Sequence, residues 1–375
     1  MNFSKLDQLI DTMPQRGIPG CEFVLTHHGK EIYRRASGLE NAASGKKVDS
    51  DTLWWIYSAS KISTCTAALQ LIEQGKLSLD DKVSKYLPAF EHMMVRTENG
   101  PVPCEVPMKI IHLFTMTGGL DYDMSEPHVK EIFDAGGSTV EVCNAMGYKE
   151  LLFAPGGHWK YSLCHDVLGA VVSVISGMPL GDYLKKNLWL PLGMETTGFT
   201  PDDAQRGRLA DMYRFGHSRG TAEPIECPYR PYSDPEYESG GGGVFSRSGD
   251  YIKLMTALSL GGVSPEGVRI LKEDTVKMME VNRLDETCHA DLYGGARLYG
   301  YGWGLCGRVH EDPVYSLSRS SVGEFGWDGA AAAFALADRK KEVAMYFGTH
   351  VMGCNYCYNL VHMKLRDLSY EAIED

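Results

Sequence analysis

The sequence predicts an α+β fold: an antiparallel sheet drawn from both ends of the chain and flanked by helices, with an all-helical region between. Two observations carry this. Strand-like runs fall early, at residues 22–26 and 31–37, and late, at 300–306, 331–337 and 342–348, while apolar segments of helical length dominate the middle. The 375 residues, 43 % hydrophobic and 23 % charged, suffice for a large core and do not have a disordered composition. The expected division is a discontinuous sheet region, 1–57 with 240–375, and a mainly helical region, 58–239, with the active site at their boundary.

Residues 4–13 read as a short amphipathic helix stopped by Pro14 and Gly17. The two early strands are separated by His27-His28-Gly29-Lys30, a polar turn that makes them a hairpin and leaves the histidines in solvent. Trp54-Trp55-Ile56-Tyr57 then precede an apolar helical run, 62–72. Residues 75–88 form a polar, Pro-punctuated connection, and 110–116 are a further helical segment stopped by Thr117-Gly118-Gly119. A third helix spans 167–175, with Asp166 as its cap and Ser176-Gly177 at its end. The four glycines 240–243 mark a hinge where the chain re-enters the sheet region. The late runs 331–337 and 342–348 flank the turn Asp338-Arg339-Lys340-Lys341 as a second hairpin.

The chemistry centres on Ser58-Ala59-Ser60-Lys61. Residues three apart share a helix face, so the Ser58 hydroxyl and Lys61 amine can touch. A serine becomes a nucleophile when a neighbouring base takes its proton, and a lysine can be that base where burial disfavours its charge. Ser44-Gly45-Lys46-Lys47 has the same spacing but lies in a polar turn with nothing to desolvate the amine. Around Ser58, by contrast, Trp54, Trp55 and Tyr57 bury the site, and a helix N-terminus stabilises developing negative charge. Taken alone, the segment also fits a helix cap beside a solvated lysine.

A formal charge of -12, with no basic block, argues against nucleic-acid binding and for a small-molecule substrate. The N-terminus lacks the pattern of a signal peptide and no run reaches transmembrane length, so a cytoplasmic location without a membrane partner is expected. The ten cysteines read as reduced, buried apolar residues. Cys354 and Cys357 with His350 and His362 make one metal-like pattern, but no second cysteine pair accompanies them. Packing is the expected role, and no metal or other cofactor is expected.

Taken in order, these and further motifs resemble the serine β-lactamase and penicillin-binding-protein superfamily, in the class C-like branch that includes family VIII carboxylesterases. After Ser58-x-x-Lys61 come Leu113-Phe114-Thr115-Met116-Thr117-Gly118-Gly119-Leu120, then Pro155-Gly156 leading to Tyr161-Ser162. Pro191-Leu192-Gly193-Met194 with Thr197-Gly198-Phe199, residues 240–246, and Phe325-Gly326-Trp327-Asp328-Gly329-Ala330-Ala331 complete the set. The resemblance covers nearly the whole chain and implies a β-lactamase-like fold. It implies that Ser58 forms an acyl-enzyme, that Lys61 accepts its proton, and that Tyr161 passes a proton among Ser58, the leaving group and the deacylating water. It also implies an oxyanion hole formed by the backbone N–H groups of Ser58 and Ala330, with Trp327-Asp328-Gly329 on the strand lining the site.

Two departures narrow the expected activity. Leu163 stands where lactamases and peptidases usually carry Asn, and Trp327-Asp328-Gly329 replaces Lys-Thr-Gly or His-Thr-Gly. Both changes remove groups that hydrogen-bond an amide or attract a carboxylate, and both add apolar surface. The expected enzyme is therefore a carboxylesterase for small or medium acyl groups. No Gly-x-Ser-x-Gly elbow offers another route. An amidase or D-aminoacyl peptidase with weak β-lactamase activity, or an acyltransferase, would use the same residues; a non-catalytic binding protein on this fold is the alternative from another class. Substrate and stereochemical preference rest on loops around Tyr122, Tyr229 and Tyr232, and the sequence carries no signal of oligomeric state.

Overall fold

Leu6, Leu9 and Ile10 fall on one face of helix α1 (Ser4–Asp11) and are its buried residues. In the computed structural model, which describes residues 1–216, 220–226, 236–296 and 298–374, strands β1 (Gly20–His27) and β2 (Lys30–Asn41) follow as the expected hairpin. His28 and Gly29 close it with φ of 50° and 74°, the left-handed pair that a two-residue hairpin turn requires. An exposed turn with Ser44 leads to β3 (Lys46–Lys47), where Lys46 pairs with Glu40. The second Ser-x-x-Lys is thus on the surface.

Strand β4 (Leu53–Trp55) leads into helix α2 (Ser60–Glu73), and α3 (Cys164–Ser176) ends at the left-handed Gly177. Strand β5 (Phe245–Arg247) pairs antiparallel with β4 and runs into α4 (Ser248–Ser259). Five further strands follow: β6 (Tyr301–Trp303), β7 (Arg308–His310), β8 (Phe325–Asp328), β9 (Phe334–Asp338) and β10 (Val343–Thr349). Helix α5 (His362–Glu374) closes the chain.

Among the described residues the main sheet has eight strands, in the order β6-β7-β8-β9-β10-β1-β2-β3. Every neighbouring pair is antiparallel. The N-terminal β1 lies between β10 and β2, so the sheet is built from both ends of the chain, as the sequence predicts. Side chains alternate between two cores. Phe23, Leu25, Met345 and Phe347 pack with Leu6 of α1 and Leu365 of α5, whereas Val24, Ala344 and Tyr346 join the larger core with α2, α3 and α4. This is a β-lactamase-like α+β fold.

Several local expectations differ from the structure. The strand expected at 331–337 begins only at Phe334, because residues 331–333 form a tight turn in which Ala332 is left-handed (φ 69°). Residues 300–306 yield only the short β6, and the helix expected at 110–116 spans Ile110–Phe114. Asp166 does not cap α3. The cap position is Leu163, and the Asp166 carboxylate turns inward to accept from Ser239 and Tyr237. The glycines 240–243 are not a hinge: they are buried, and the Gly240 carbonyl accepts from Thr64 of α2. Cys354 and Cys357 are buried in the core beneath α1 and α5. Among the described residues, no three His, Cys, Asp or Glu side chains group to hold a metal, and no single helix is long and apolar enough to cross a membrane.

Candidate active site

Strand β4, held by β5, delivers the chain to a short 3-10 turn, Tyr57–Ala59, ahead of α2. Ser58 therefore sits in this turn, just outside the α-helix where the spacing would put it. Tyr57 adopts φ of 47°, a left-handed conformation that a bulky residue holds only where packing imposes it. The packing is dense: Trp54, Trp55 and Tyr57 are all buried. The three-residue separation survives the change of helix type, and Lys61 Nζ lies 3.3 Å from Ser58 Oγ. Ser60 faces elsewhere, its hydroxyl accepting from Val244 N–H at 3.0 Å.

Lys61 is fully buried. Besides Ser58, its Nζ meets the Gly241 carbonyl at 2.6 Å and the Tyr122 hydroxyl at 3.1 Å. The Tyr161 ring lies beneath it, 4.7 Å from Nζ to the ring centroid. The Tyr161 hydroxyl points to Trp327 instead, whose indole N–H donates to it at 2.6 Å. Since that bond occupies a lone pair of the phenol oxygen, the phenol's own hydrogen remains available to another acceptor. Trp303 and Trp159 close around the same ring, at 6.0 Å and 6.3 Å between centroids.

A half-buried serine against a buried lysine, with a phenol held beside them, is an acyl-transfer constellation. The Beta-lactamase family model matches residues 6–353, a span that holds Ser58, Lys61, Tyr161 and Trp327. The chain belongs to the β-lactamase family. Esterase EstB of Burkholderia gladioli is 29 % identical over 363 residues, 90 % of this chain and 87 % of that protein. Acyltransferase calJ of Penicillium decumbens is 27 % identical over 354 residues, 87 % of this chain and 82 % of calJ. Among solved structures, that of EstCE1, a hydrolase with promiscuous acyltransferase activity, has a TM-score of 0.80 at 26 % identity and covers 98 % of this chain and 97 % of that one.

This β-lactamase family member differs from its sequence-based picture in what surrounds Lys61. Trp327, expected to line the site and to add apolar surface, also donates its indole N–H to Tyr161. Asp166 and Gly241 form a wall, of which only Gly241 lies in a motif, 240–246. A Cβ at Gly241 would collide with the Asp166 carboxylate and sit 3.3 Å from Lys61 Nζ, so only glycine admits both. Burial pushes the Asp166 carboxyl up from its ordinary value, against the pull of the nearby Lys61 charge. Tyr122, expected only to shape a loop, reaches Lys61 because Lys149 clamps its neighbours. Lys149 Nζ donates to Asp121 Oδ1 at 2.6 Å and to the Asp123 carbonyl, and Lys149 is only 7 % exposed. No periodic pattern announces these residues. Tyr229 and Tyr232 lie outside the described residues.

Two cavities meet at Ser58 and Ala330. The larger, about 670 Å³, runs past Trp327, Asp328 and Gly329 beneath Tyr358 to a rim that includes Tyr315 and Leu317. The smaller, about 310 Å³, is walled by Tyr122, Met124, Leu163 and Tyr237. Gly329 places the end of β8 against the nucleophile's turn, since a Cβ there would collide with the Ile56 carbonyl. Asp328 faces Arg308 at 2.9 Å, and that guanidinium, with His362, outweighs burial to hold its carboxyl below the ordinary range.

Proposed function

We propose that this chain is a carboxylesterase that cleaves esters of small or medium acyl groups through an acyl-enzyme on Ser58, without metal or cofactor. As Ser58 Oγ attacks the carbonyl carbon, its proton passes to the Lys61 amine, whose other hydrogens are directed at the Gly241 carbonyl and the Tyr122 hydroxyl. The oxyanion takes hydrogen bonds from the backbone N–H groups of Ser58 and Ala330. The leaving alkoxide receives a proton through Tyr161, and water then repeats the sequence on the acyl-enzyme. In this reading the reaction occurs in the cytoplasm, where the sheet region 1–57 with 240–375 meets the helical region 58–239.

One observation carries the preference for esters. The indole N–H of Trp327 is engaged by Tyr161, and Leu163 forms apolar wall, so neither position offers a group to hold an amide or a carboxylate. An amide nitrogen must be protonated to leave and its plane must be held for attack, demands that an activated ester makes less of. The expected result is a kcat/KM for p-nitrophenyl butyrate at least ~10²-fold above that for penicillins, cephalosporins and D-alanyl peptides, or about 2.7 kcal/mol. A β-lactam or D-alanyl peptide that proves the better substrate defeats the esterase reading.

Acyl transfer is a second reading, favoured by the two cavities meeting at Ser58: an alcohol seated in one can intercept the acyl group held in the other. The likeness to calJ and EstCE1 supports it. Product analysis in water with added alcohols separates the two, because a transferase yields new ester where a hydrolase yields acid.

A further inference from the structure

The turn that carries Ala330 has an unusual set of anchors. Between β8 and β9, residues 329–332 expose four consecutive carbonyls, and every one is bonded by residues 351–362. The Tyr358 hydroxyl lies 2.8 Å from the Gly329 carbonyl and 3.0 Å from the Ala330 carbonyl. Val351 N–H donates to Ala331 at 3.1 Å, and His362 Nε2 reaches the Ala332 carbonyl at 3.0 Å. Ala332 N–H, at the left-handed residue of the turn, donates to the Gly329 carbonyl at 2.9 Å and meets the same Tyr358 oxygen at 3.3 Å. One phenol hydrogen is thus shared by two carbonyls, the Gly329 carbonyl being the nearer, while the phenol oxygen faces a third peptide unit.

Peptide geometry turns this into a functional statement. The Gly329 carbonyl and the Ala330 N–H belong to one planar trans unit and point in opposite directions. A group that fixes the carbonyl on one side therefore fixes the N–H on the other, and Ala330 and Ser58 line the same cavity. An oxyanion hole owes its effect to donors already aimed at the developing charge, so its cost is sensitive to small rotations.

We propose that the Tyr358 hydroxyl is a positioning group for the oxyanion hole, holding the 329–330 peptide plane so that Ala330 N–H faces the carbonyl under attack. The proposal rests on the reading of Ala330 N–H as an oxyanion donor in an enzyme acylated at Ser58. Tyr358 lines the larger cavity but has no hydrogen bond to Ser58 or Lys61, and its action on the oxyanion donor runs through the peptide.

The test is Tyr358→Phe, which removes the hydroxyl and keeps the ring. We expect kcat/KM for p-nitrophenyl butyrate to fall about 10- to 100-fold, less than the ~10²–10³-fold in kcat for deleting an oxyanion donor outright. A structural role alone could also lower activity, so the deciding readout is the infrared band of a carbon-13-labelled carbonyl in the cinnamoyl acyl-enzyme. That band should move to higher wavenumber in the variant, as polarisation by the hole weakens. An unshifted band with kcat/KM within twofold of the unmodified protein overturns the proposal, while absence of any cinnamoyl adduct on the unmodified protein overturns the underlying acyl-enzyme reading instead. Tyr358→Met is a second hydroxyl-free side chain should the Phe variant not fold. If neither folds, the contact serves folding and the proposal is likewise overturned.

Discussion

Lys61 carries three hydrogens when charged, and three oxygens surround its nitrogen: Gly241 O, Ser58 Oγ and Tyr122 Oη. A carbonyl can only accept, whereas the two hydroxyls can give or take, so the amine can take the Ser58 proton and still be fully bonded. Ser58→Ala should abolish acylation by p-nitrophenyl butyrate, whereas Ser60→Ala, which removes only the acceptor for Val244 N–H, should retain most of it; mass spectrometry placing the adduct on Ser60 would reverse the assignment. The two phenols should separate in single-turnover release of p-nitrophenol. Tyr161→Phe is expected to lose about 10²–10⁴-fold, the range for a lost acid–base group, while Tyr122→Phe removes one partner of Lys61 and should lose about tenfold. If Tyr122→Phe suffers the larger loss, Tyr122 is the proton carrier. Ser58, Lys61, Tyr161 and Trp327 were legible because each sits in a motif that keeps its spacing along the chain. Tyr122 and Asp166 were not, because each approaches Lys61 from a segment outside those motifs, and Gly241, although inside the motif 240–246, gave no sign of its contact with Lys61.

At the scale of elements, the strands were readable where their side chains alternate between two cores, as in β1 and β10, and unreadable where backbone demands override composition. The run of alanines before Phe334 looks like strand, yet it bends at Ala332, where Ala332 N–H closes the turn on the Gly329 carbonyl and Tyr358 and His362 bond the turn from outside. Asp166 looks like a cap, yet a buried lysine and two hydroxyl donors draw its carboxylate inward. The segment 121–123 is an element whose placement catalysis is expected to feel through Tyr122. With Lys149 bonded to both Asp121 and Asp123, Lys149→Met strips Asp121 of its buried partner and frees the loop that presents Tyr122. A several-fold fall in kcat is expected, comparable to Tyr122→Phe, with little further loss when the two changes are combined, because both act through one contact. Independent, additive losses in steady-state kinetics would separate Lys149 from Tyr122.

Across the whole molecule, stability in acid should be set in part by histidines the fold buries as neutral rings. His350 is the clearest. It lies between β10, β4 and residue 210, with Nδ1 2.7 Å from the Ala210 carbonyl and Nε2 accepting from Trp55 N–H at 2.8 Å. Burial lowers its pKa to about 4, with the Trp55 N–H favouring the neutral ring, and outweighs the Ala210 carbonyl and Asp211, which raise it. His165, behind Lys61, is lowered to about 3 for the same first reason. An unfolded chain binds a proton on each such ring near pH 6.5 whereas the folded chain does not, so their contribution is fully present above pH 6.5 and declines as pH falls through the folded value. Buried Glu22 and Glu324 act in the opposite sense, since burial raises their carboxyl pKa and the folded state keeps their protons to higher pH. The net slope is therefore a difference, and a single substitution isolates one ring. His350→Gln keeps a donor and an acceptor but cannot be protonated, so urea unfolding at pH 7 and pH 4.5 should show the unmodified protein losing about 2 kcal/mol more than the variant. Because His350 bonds the residue three before Ser58, the same variant should also retain activity further into acid after a brief exposure and return to neutral pH. Equal stability losses in the two proteins would mean that His350 does not exclude its proton in the fold.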